Sequence, residues 1–185
     1  MFRHLAALAA AGVALPAHVV RADDEPADPP PDAGGQGSQA APAVDPAMTP
    51  LEAQVLALVN GARTGRGLPP LAWDATMAAV AREHARDMMS RGFVSHIGSD
   101  GSTPQQRLRR AGVQFRYGSE NIWTYWGSDP ALGPATMHAA MMKEAYSPGV
   151  WNHIGNILYA GYARIGVGIA VAPAGTQYLS ETFAD

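Results

Sequence analysis

Two kinds of hydrophobic periodicity divide most of the chain into an early helical part and a late strand part. Apolar residues at helical spacing predict one helix that begins at Thr49 and a second that begins at Asp74. Alternating, β-branched runs over residues 164–172 and 177–183 flank a Pro-Ala-Gly-Thr turn, which predicts a β-hairpin. Helices first and strands late predict an α+β domain in which helices cover a small antiparallel sheet.

Capping residues mark the boundaries of the helices. The first helix opens with Thr49, Pro50 and Glu52, which form a capping box with proline at the first helical position. The third helix opens with the equivalent box at Thr103 and Gln106. Glycine favours helix ends because it adopts the left-handed conformation without strain. The first three helices are therefore expected to end at Gly65, Gly92 and Gly112, and two further helices are predicted over about residues 134–146 and 151–158.

The first 48 residues have a different character from the rest of the chain. A basic start is followed by an apolar run over residues 5–16 that is too short to span a bilayer, which is typical of a signal peptide. The best cleavage position follows Ala22, with a second choice after Ala17. A buried N-terminal helix is the disfavoured alternative, because the acidic, proline-rich segment that follows has too little apolar surface to fold.

These features predict three parts of the chain. Residues 1–22 are expected to be a signal peptide, residues 23–48 a disordered linker, and residues 49–185 a folded domain. The protein is therefore expected to be secreted to the extracellular or periplasmic space, with no transmembrane segment in the mature chain.

Composition excludes several classes of function. A formal net charge of −3 gives no basic surface field for binding a phosphate backbone, so nucleic acid is not an expected partner. The absence of cysteine excludes disulfides, thiolate catalysis and cysteine zinc sites. No G-x-S-x-G, H-E-x-x-H, P-loop or G-x-G-x-x-G pattern occurs, which disfavours serine hydrolases, zincins and nucleotide enzymes.

The candidate chemistry rests on four titratable residues predicted to lie in loops or at helix ends: His96, Glu120, Glu144 and His153. Two imidazoles and a carboxylate could hold a divalent ion such as zinc, or pair as charged histidine with glutamate when no metal is bound. From composition alone, scattered surface residues are the better interpretation. A fifth residue, His84, lies on the apolar side of the second helix and is interpreted as a core histidine held by one hydrogen bond.

A series of motifs, in order along the chain, changes that interpretation. The segments are Leu58-Val59-Asn60-Gly61-Ala62-Arg63, Gly67-Leu68-Pro69-Pro70-Leu71-Ala72-Trp73-Asp74, Ala85-Arg86-Asp87-Met88, Ser95-His96, Asp100-Gly101-Ser102-Thr103-Pro104, Gly118-Ser119-Glu120-Asn121-Ile122, His153-Ile154-Gly155-Asn156-Ile157-Leu158 and Ile165-Gly166-Val167-Gly168. Together they resemble the CAP domain family, named for cysteine-rich secretory proteins, antigen 5 and pathogenesis-related class 1 proteins, in its bacterial SCP-like form.

The resemblance implies a three-layer α-β-α sandwich with a central cleft lined by two histidines and two glutamates. Carried over by motif, these are His96, Glu120 and His153, with Glu144 as the weakest match. His96 and His153 are the implied metal ligands, for zinc or else calcium or magnesium. The cluster is expected to raise the histidine pKa values through the opposite charge of the glutamates.

Two departures from the family pattern stand near these residues. Ser119 replaces the usual glycine before Glu120, at a position interpreted as a turn. The insertion Val150-Trp151-Asn152 precedes His153 and puts the distance from Glu144 to His153 in question.

Three functions follow as alternatives. The preferred one is a non-enzymatic extracellular module that binds a small ligand, peptide, lipid or cell-envelope component, or a divalent cation. The second is a metal-assisted, peptidase-like hydrolase with Glu120 as general base; Ser95 is disfavoured as its nucleophile. The third is lipid or sterol binding through Trp123 and Trp126, for which core packing is the simpler interpretation.

Overall fold

The computed structural model describes residues 18–21, 48–147, 149 and 151–185. Helices and strands alternate irregularly along this part of the chain. The helices are α1 Pro50–Thr64, α2 Ala75–Arg91, α3 Pro104–Arg110, α4 Gly133–Met141 and α5 His153–Leu158, with a short 3-10 turn at Pro130–Leu132. The strands are β1 His18–Arg21, β2 Ala72–Trp73, β3 Tyr117–Tyr125, β4 Arg164–Val171 and β5 Gln177–Ala184.

Local capping signals set the helix boundaries where the sequence predicts them. The Thr49 hydroxyl accepts a hydrogen bond from the Glu52 backbone at 3.3 Å, and the Glu52 carboxylate accepts one from the Thr49 backbone at 2.9 Å. Gly92 ends α2 in the left-handed conformation, with φ of 59°. The prediction for α4 was too long, since the helix ends at Met141 rather than at residue 146. Asn152 caps α5, so that helix begins at His153.

The sheet has the strand order β1-β3-β5-β4-β2. Its neighbours run antiparallel except for the two-residue β2, which pairs with β4 in parallel. Strand β3 was not predicted from the sequence. The expectation that Glu120 lies in a loop or at a helix end is therefore wrong: Glu120 is in β3 and lies opposite Thr182 of β5.

Helices cover both faces of the sheet, which gives the three-layer α-β-α sandwich. On one face, α2 packs directly against β4 because Gly166 and Gly168 present no side chain there. A Cβ atom on Gly166 would collide with the carbonyl carbon of Met77, and one on Gly168 would collide with the amide nitrogen of Arg82. Alternate residues of β4, Ile165 and Val167, point to the other face and join the core formed with α1, α4 and α5.

Arg63 ties α1 to the segment after α5. Its side chain is fully buried and lies on the same helical stripe as Val55 and Val59. The guanidinium donates hydrogen bonds to the backbone carbonyls of Pro69, Ile157, Tyr159 and Tyr162. Four carbonyl acceptors offset the cost of burying the guanidinium, so this arginine of the Leu-Val-Asn motif has a structural role.

The predicted signal peptide and linker lie mostly outside the described residues. Of these segments, the backbone of His18–Arg21 forms β1 and pairs with Tyr117–Glu120 at one edge of the sheet. Among the helices of the described residues, none has the length and apolar character needed to cross a membrane.

Candidate functional site

Glu120 is the centre of the first polar cluster. Its side chain is fully buried in β3, and His96 donates from Nδ1 to Oε2 of this carboxylate at 2.9 Å. Arg107 of α3 donates from Nη2 to Oε1 at 2.8 Å, and the Ser180 hydroxyl of β5 donates to the same oxygen at 3.1 Å. Both carboxylate oxygens therefore have donors supplied by three different segments.

These partners keep the Glu120 carboxylate charged despite its burial. Burial alone would raise the pKa of Glu120, but the hydrogen bond from His96 and the positive charge of Arg107 outweigh it, and the net shift lowers the pKa. Arg107 also donates from Nη1 to the backbone carbonyls of His96 and Ser102 at 3.0 and 2.9 Å. Arg107 therefore fixes both the loop that carries His96 and the carboxylate that His96 contacts.

His84 lies behind this pair as the buried core histidine that the sequence predicts. Its Nε2 contacts the backbone carbonyl of Ser95 at 2.9 Å and is 3.7 Å from Oε2 of Glu120. Burial is the largest influence on His84 and lowers its pKa, opposed by the negative charge of Glu120.

Glu144 and His153 form the second histidine–glutamate pair. Oε1 of Glu144 accepts from Nδ1 of His153 at 2.5 Å, and Oε2 accepts from the His153 backbone amide at 2.9 Å. The His153 side chain is 1% exposed, whereas that of Glu144 is 24% exposed. The inserted Asn152 caps α5 by accepting from Gly155, so the insertion leaves the two residues in direct contact.

The expectation of a raised histidine pKa is wrong for His153. Burial is the largest influence and lowers the pKa of His153, while the hydrogen bond and charge of Glu144 raise it. The nearby backbone carbonyl of Ile122 also raises the pKa, although His153 Nε2 makes no well-aligned hydrogen bond among the residues that the structure describes. The net shift is downward, so the ring is neutral at pH 7.

The two pairs are connected through β3. Glu120 and Asn121 are consecutive, so their side chains point to opposite faces of the sheet. Asn121 donates to the His153 backbone carbonyl at 3.2 Å and to Oε2 of Glu181 at 3.0 Å. Asn156 donates to the Asn121 side chain at 2.9 Å. The charge of His96 lowers the pKa of His153, which places the two histidines within electrostatic range of each other.

A cleft lined by all four predicted residues is not seen in the described part of the chain. Two surface cavities have volumes of about 460 and 470 Å³, and none of the four predicted residues lines either of them. The first is lined in part by His84 and Arg107, which lie close to Glu120. Within the same described residues, no group of three or more histidine, aspartate or glutamate side chains is arranged to hold a metal ion. His96 and His153 therefore remain a two-histidine candidate.

The two tryptophans of the lipid hypothesis have different environments. Trp123 is 6% exposed and meets the His153 ring edge-on with centroids 5.3 Å apart, as expected for core packing. Trp126 is 44% exposed and follows the end of β3.

Sequence reasoning missed a buried carboxylic acid near the second pair. Glu181 of β5 is fully buried, and burial raises its pKa to about 7, with the hydrogen bond from Asn121 opposing the shift. The other oxygen, Oε1, has no hydrogen-bond partner within the described ranges. The alternation of β5 alone gave no signal for this, because every residue of the strand is buried.

The cysteine-rich secretory protein (CAP) family matches residues 56–183, and the chain belongs to it. An uncharacterized protein of Bacillus subtilis, YkwD, is 29% identical over 117 residues, which is 63% of this chain and 41% of YkwD. The match therefore spans less than half of that relative.

Solved structures show the same fold. An extracellular protein containing an SCP domain from Bacillus anthracis aligns with a TM-score of 0.55 and 26% identity, over 75% of this chain and 44% of that one. An outer surface protein of Borrelia burgdorferi aligns with a TM-score of 0.61 and 18% identity, over 73% of this chain and 92% of that one. The second likeness concerns the fold alone.

Proposed function

We propose that this protein is an exported binding module in which His96 and His153 together bind a divalent cation, zinc above calcium or magnesium. Export is supported by the N-terminal apolar run and by the similar Bacillus anthracis structure, which is of an extracellular protein. The observation that carries the cation site is the pairing of both histidines with carboxylates through the same ring atom.

The pairing defines which ring nitrogen of each histidine carries the proton. A carboxylate that is ionised only accepts hydrogen bonds, so Nδ1 of a neutral histidine facing it carries the proton. Nε2 then has the lone pair, as in histidines that bind metals and donate their other N–H to a carboxylate. His153 fits this description in its buried Nε2, which makes no well-aligned hydrogen bond among the described residues, although the Ile122 carbonyl lies close to the ring.

The donor set matches zinc better than the harder cations. Imidazole nitrogen suits zinc, whereas calcium and magnesium prefer oxygen ligands. Glu120 and Glu144 each accept a hydrogen bond from a histidine Nδ1. The two glutamates therefore orient the histidine ligands and do not bind the cation themselves. The protein would supply two ligands, and solvent or a bound partner would supply the rest.

The enzymatic alternative has weaker support. A general base needs a carboxylate that can reach the reacting proton. Glu120 is fully buried and accepts from His96, Arg107 and Ser180, so its oxygens are already engaged. Lipid binding through Trp123 is likewise disfavoured, because that ring packs in the core.

Isothermal titration of the purified domain with zinc, calcium and magnesium chlorides tests the cation site. We expect one zinc equivalent to bind, with His96→Ala and His153→Ala each lowering the affinity at least about tenfold through loss of a ligand. His138→Ala is the matched control, since His138 is another largely buried histidine, in α4, outside both pairs. Equal zinc binding by the wild type and the His96→Ala, His153→Ala double variant would refute the site.

A further inference from the structure

A surface cavity of about 470 Å³ lies where the segment after α1 meets α5. This volume is within the roughly 300–1,000 Å³ range of small-molecule sites. The described residues that line it come from two stretches of the chain, one just after α1 and one that ends at the residues following α5. The two histidines of the proposed cation site and their glutamate partners are not among them, so a ligand here is additional to the cation.

The floor of this cavity is apolar and fixed in place. Among the lining residues, Leu158 of α5 is buried and Leu68 is half-buried. The buried Arg63 side chain donates from Nη1 to the backbone carbonyls of Ile157 and Tyr159, each at 2.9 Å, and so holds the end of α5. A cavity whose floor is already ordered loses little conformational entropy when a ligand binds.

Three aromatic residues line the cavity: Tyr146, Trp151 and Tyr159. Tyr146 is 47% exposed and Trp151 is 39% exposed, so part of this aromatic surface is open to solvent. The rings of Trp151 and Tyr159 have centroids 5.1 Å apart and an interplanar angle of 69°. Two rings at this angle form a corner, in which a flat ring can stack on one and present its edge to the other.

Arg66 is the only charged residue among the described residues that line the cavity. It is exposed, and its one hydrogen bond within the described part of the chain runs from Nη1 to the neutral backbone carbonyl of Ala62 at 3.2 Å. No carboxylate of the described residues compensates its positive charge. Charge complementarity therefore favours an anionic ligand.

The available donors favour a carboxylate over a phosphate. A single guanidinium matches a carboxylate with two parallel hydrogen bonds. A phosphate monoester carries a charge of about −1.5 to −2 at pH 7 and has three acceptor oxygens, so it needs more donors than one arginine supplies. Two amides at the start of α5 cannot supply them, because the His153 amide donates to Glu144 and the Gly155 amide donates to Asn152.

We infer that this cavity binds a molecule that joins an aromatic ring to a carboxylate. The ring lies in the corner formed by Trp151 and Tyr159, and the carboxylate accepts hydrogen bonds from Arg66. Such a group occurs both in a free aryl carboxylic acid and at the C-terminus of a peptide that ends in an aromatic residue. The site goes beyond the proposed cation site and does not depend on it.

Amide chemical-shift titration with matched probes tests this inference. The ¹⁵N-labelled protein, in metal-free buffer, is titrated up to about 20 mM with N-acetylphenylalanine, which mimics a chain end, and with phenylpropionate, a free acid. N-acetylphenylalanine amide lacks only the charge, N-acetylalanine lacks only the ring, and AMP carries a phosphate in place of the carboxylate. We expect saturable shifts at residues 66–68 and 155–160 with at least one aromatic acid.

The comparison among the probes identifies the ligand class. The amide and N-acetylalanine should each bind at least about tenfold more weakly than the better aromatic acid, because each lacks one of the two recognised groups. Tighter binding of N-acetylphenylalanine than of phenylpropionate identifies a peptide terminus as the ligand, and the reverse order identifies a free acid.

Two variants with matched controls locate the binding. Arg66→Ala should weaken the aromatic acid about 10- to 100-fold through loss of a charged donor, without weakening the neutral amide. Arg86→Ala, which removes an exposed arginine of α2, should change neither. Trp151→Ala should weaken the acid about 5-fold through loss of a ring contact, and Trp151→Phe should retain most of the affinity. Trp126→Ala removes another exposed tryptophan and should have no effect.

Four results would overturn the inference. These are no saturable shift with either aromatic acid, equal binding of the acid and its amide, tighter binding of AMP or N-acetylalanine than of both aromatic acids, and binding that Arg66→Ala leaves intact. Because the buffer is metal-free and no variant touches His96 or His153, failure here is distinguishable from failure of the cation site.

Discussion

Two fully buried carboxyl groups on neighbouring strands, Glu120 of β3 and Glu181 of β5, behave in opposite ways. Glu120 accepts from Arg107, His96 and Ser180, and its pKa is lowered. Glu181 accepts from Asn121, has no cationic partner among the described residues, and has a pKa raised to about 7. Burial is therefore compatible with either charge state, and the partners decide which one is stable.

The difference suggests separate roles for the two faces of β3. On the Glu120 face, the ionised carboxylate of Glu120 accepts hydrogen bonds from Arg107 and His96. Arg107 also donates to the backbone of the loop that carries His96. On the Glu181 face, an acid with a raised pKa and two amides support the backbone at His153. Three substitutions probe this contrast, in decreasing order of expected effect.

Glu120→Gln should have the largest effect. It leaves Arg107 without its counter-charge in a largely buried position, and breaking a buried pair in this way costs about 3–5 kcal/mol of unfolding free energy. Urea unfolding at pH 5.5, where Glu181 is protonated in the folded state, measures this cost, with Glu181→Gln as the matched substitution on the adjacent strand. If the two variants lose equal stability, the assignment of opposite charge states is wrong.

Glu181→Gln should change how stability depends on pH. The folded pKa of about 7 lies above the ordinary value of 4.5, so the folded state binds the extra proton between these values. The stability of the wild type should therefore fall as pH rises from 4.5 to about 7 and then level off.

The Glu181→Gln variant has no titratable group at this position, so its stability should not show the fall between pH 4.5 and about 7. Above pH 7 it should be more stable than the wild type by on the order of 3 kcal/mol, since one pKa unit corresponds to about 1.4 kcal/mol. Unfolding curves at several pH values from acid to alkaline check this. A wild type whose stability rises through the same pH range, with an unchanged slope in Glu181→Gln, would contradict it.

Glu144→Gln should have the smallest effect on stability, about 1 kcal/mol, because Glu144 is partly exposed and its amide replacement keeps an acceptor for the His153 backbone. The same substitution should weaken zinc binding about 10-fold, since it removes the carboxylate partner of the zinc ligand His153. Thermal melts and zinc titration of the same sample separate the two effects. Unchanged zinc affinity would show that Glu144 does not support the ligand.

Local signals predicted much of the fold, and long-range pairing explains what they missed. The capping boxes at Thr49 and Thr103 act within one helical turn, so a short window of sequence reveals them. Strand β3 escaped prediction because Gly-Ser-Glu-Asn is typical of a loop. These polar residues are extended and buried only because β5, α3 and α5 supply their partners.

The residues of the candidate site were likewise predicted only in part. Motif resemblance singled out His96, Glu120, Glu144 and His153, and the structure pairs them as His96 with Glu120 and Glu144 with His153. Arg107 and Glu181 could not be found in this way, since their importance depends on contacts across elements. Ser119 also differs from its expected setting, because it lies in extended strand β3 and needs no special backbone angle.

Imidazole ¹⁵N spectra recorded during zinc addition test the shared site most directly. We expect the Nε2 signals of His96 and His153 to move together and saturate at one zinc equivalent, while those of His84 and His138 stay unchanged. Independent responses of His96 and His153, or a response in neither, would mean that the two histidines do not share an ion.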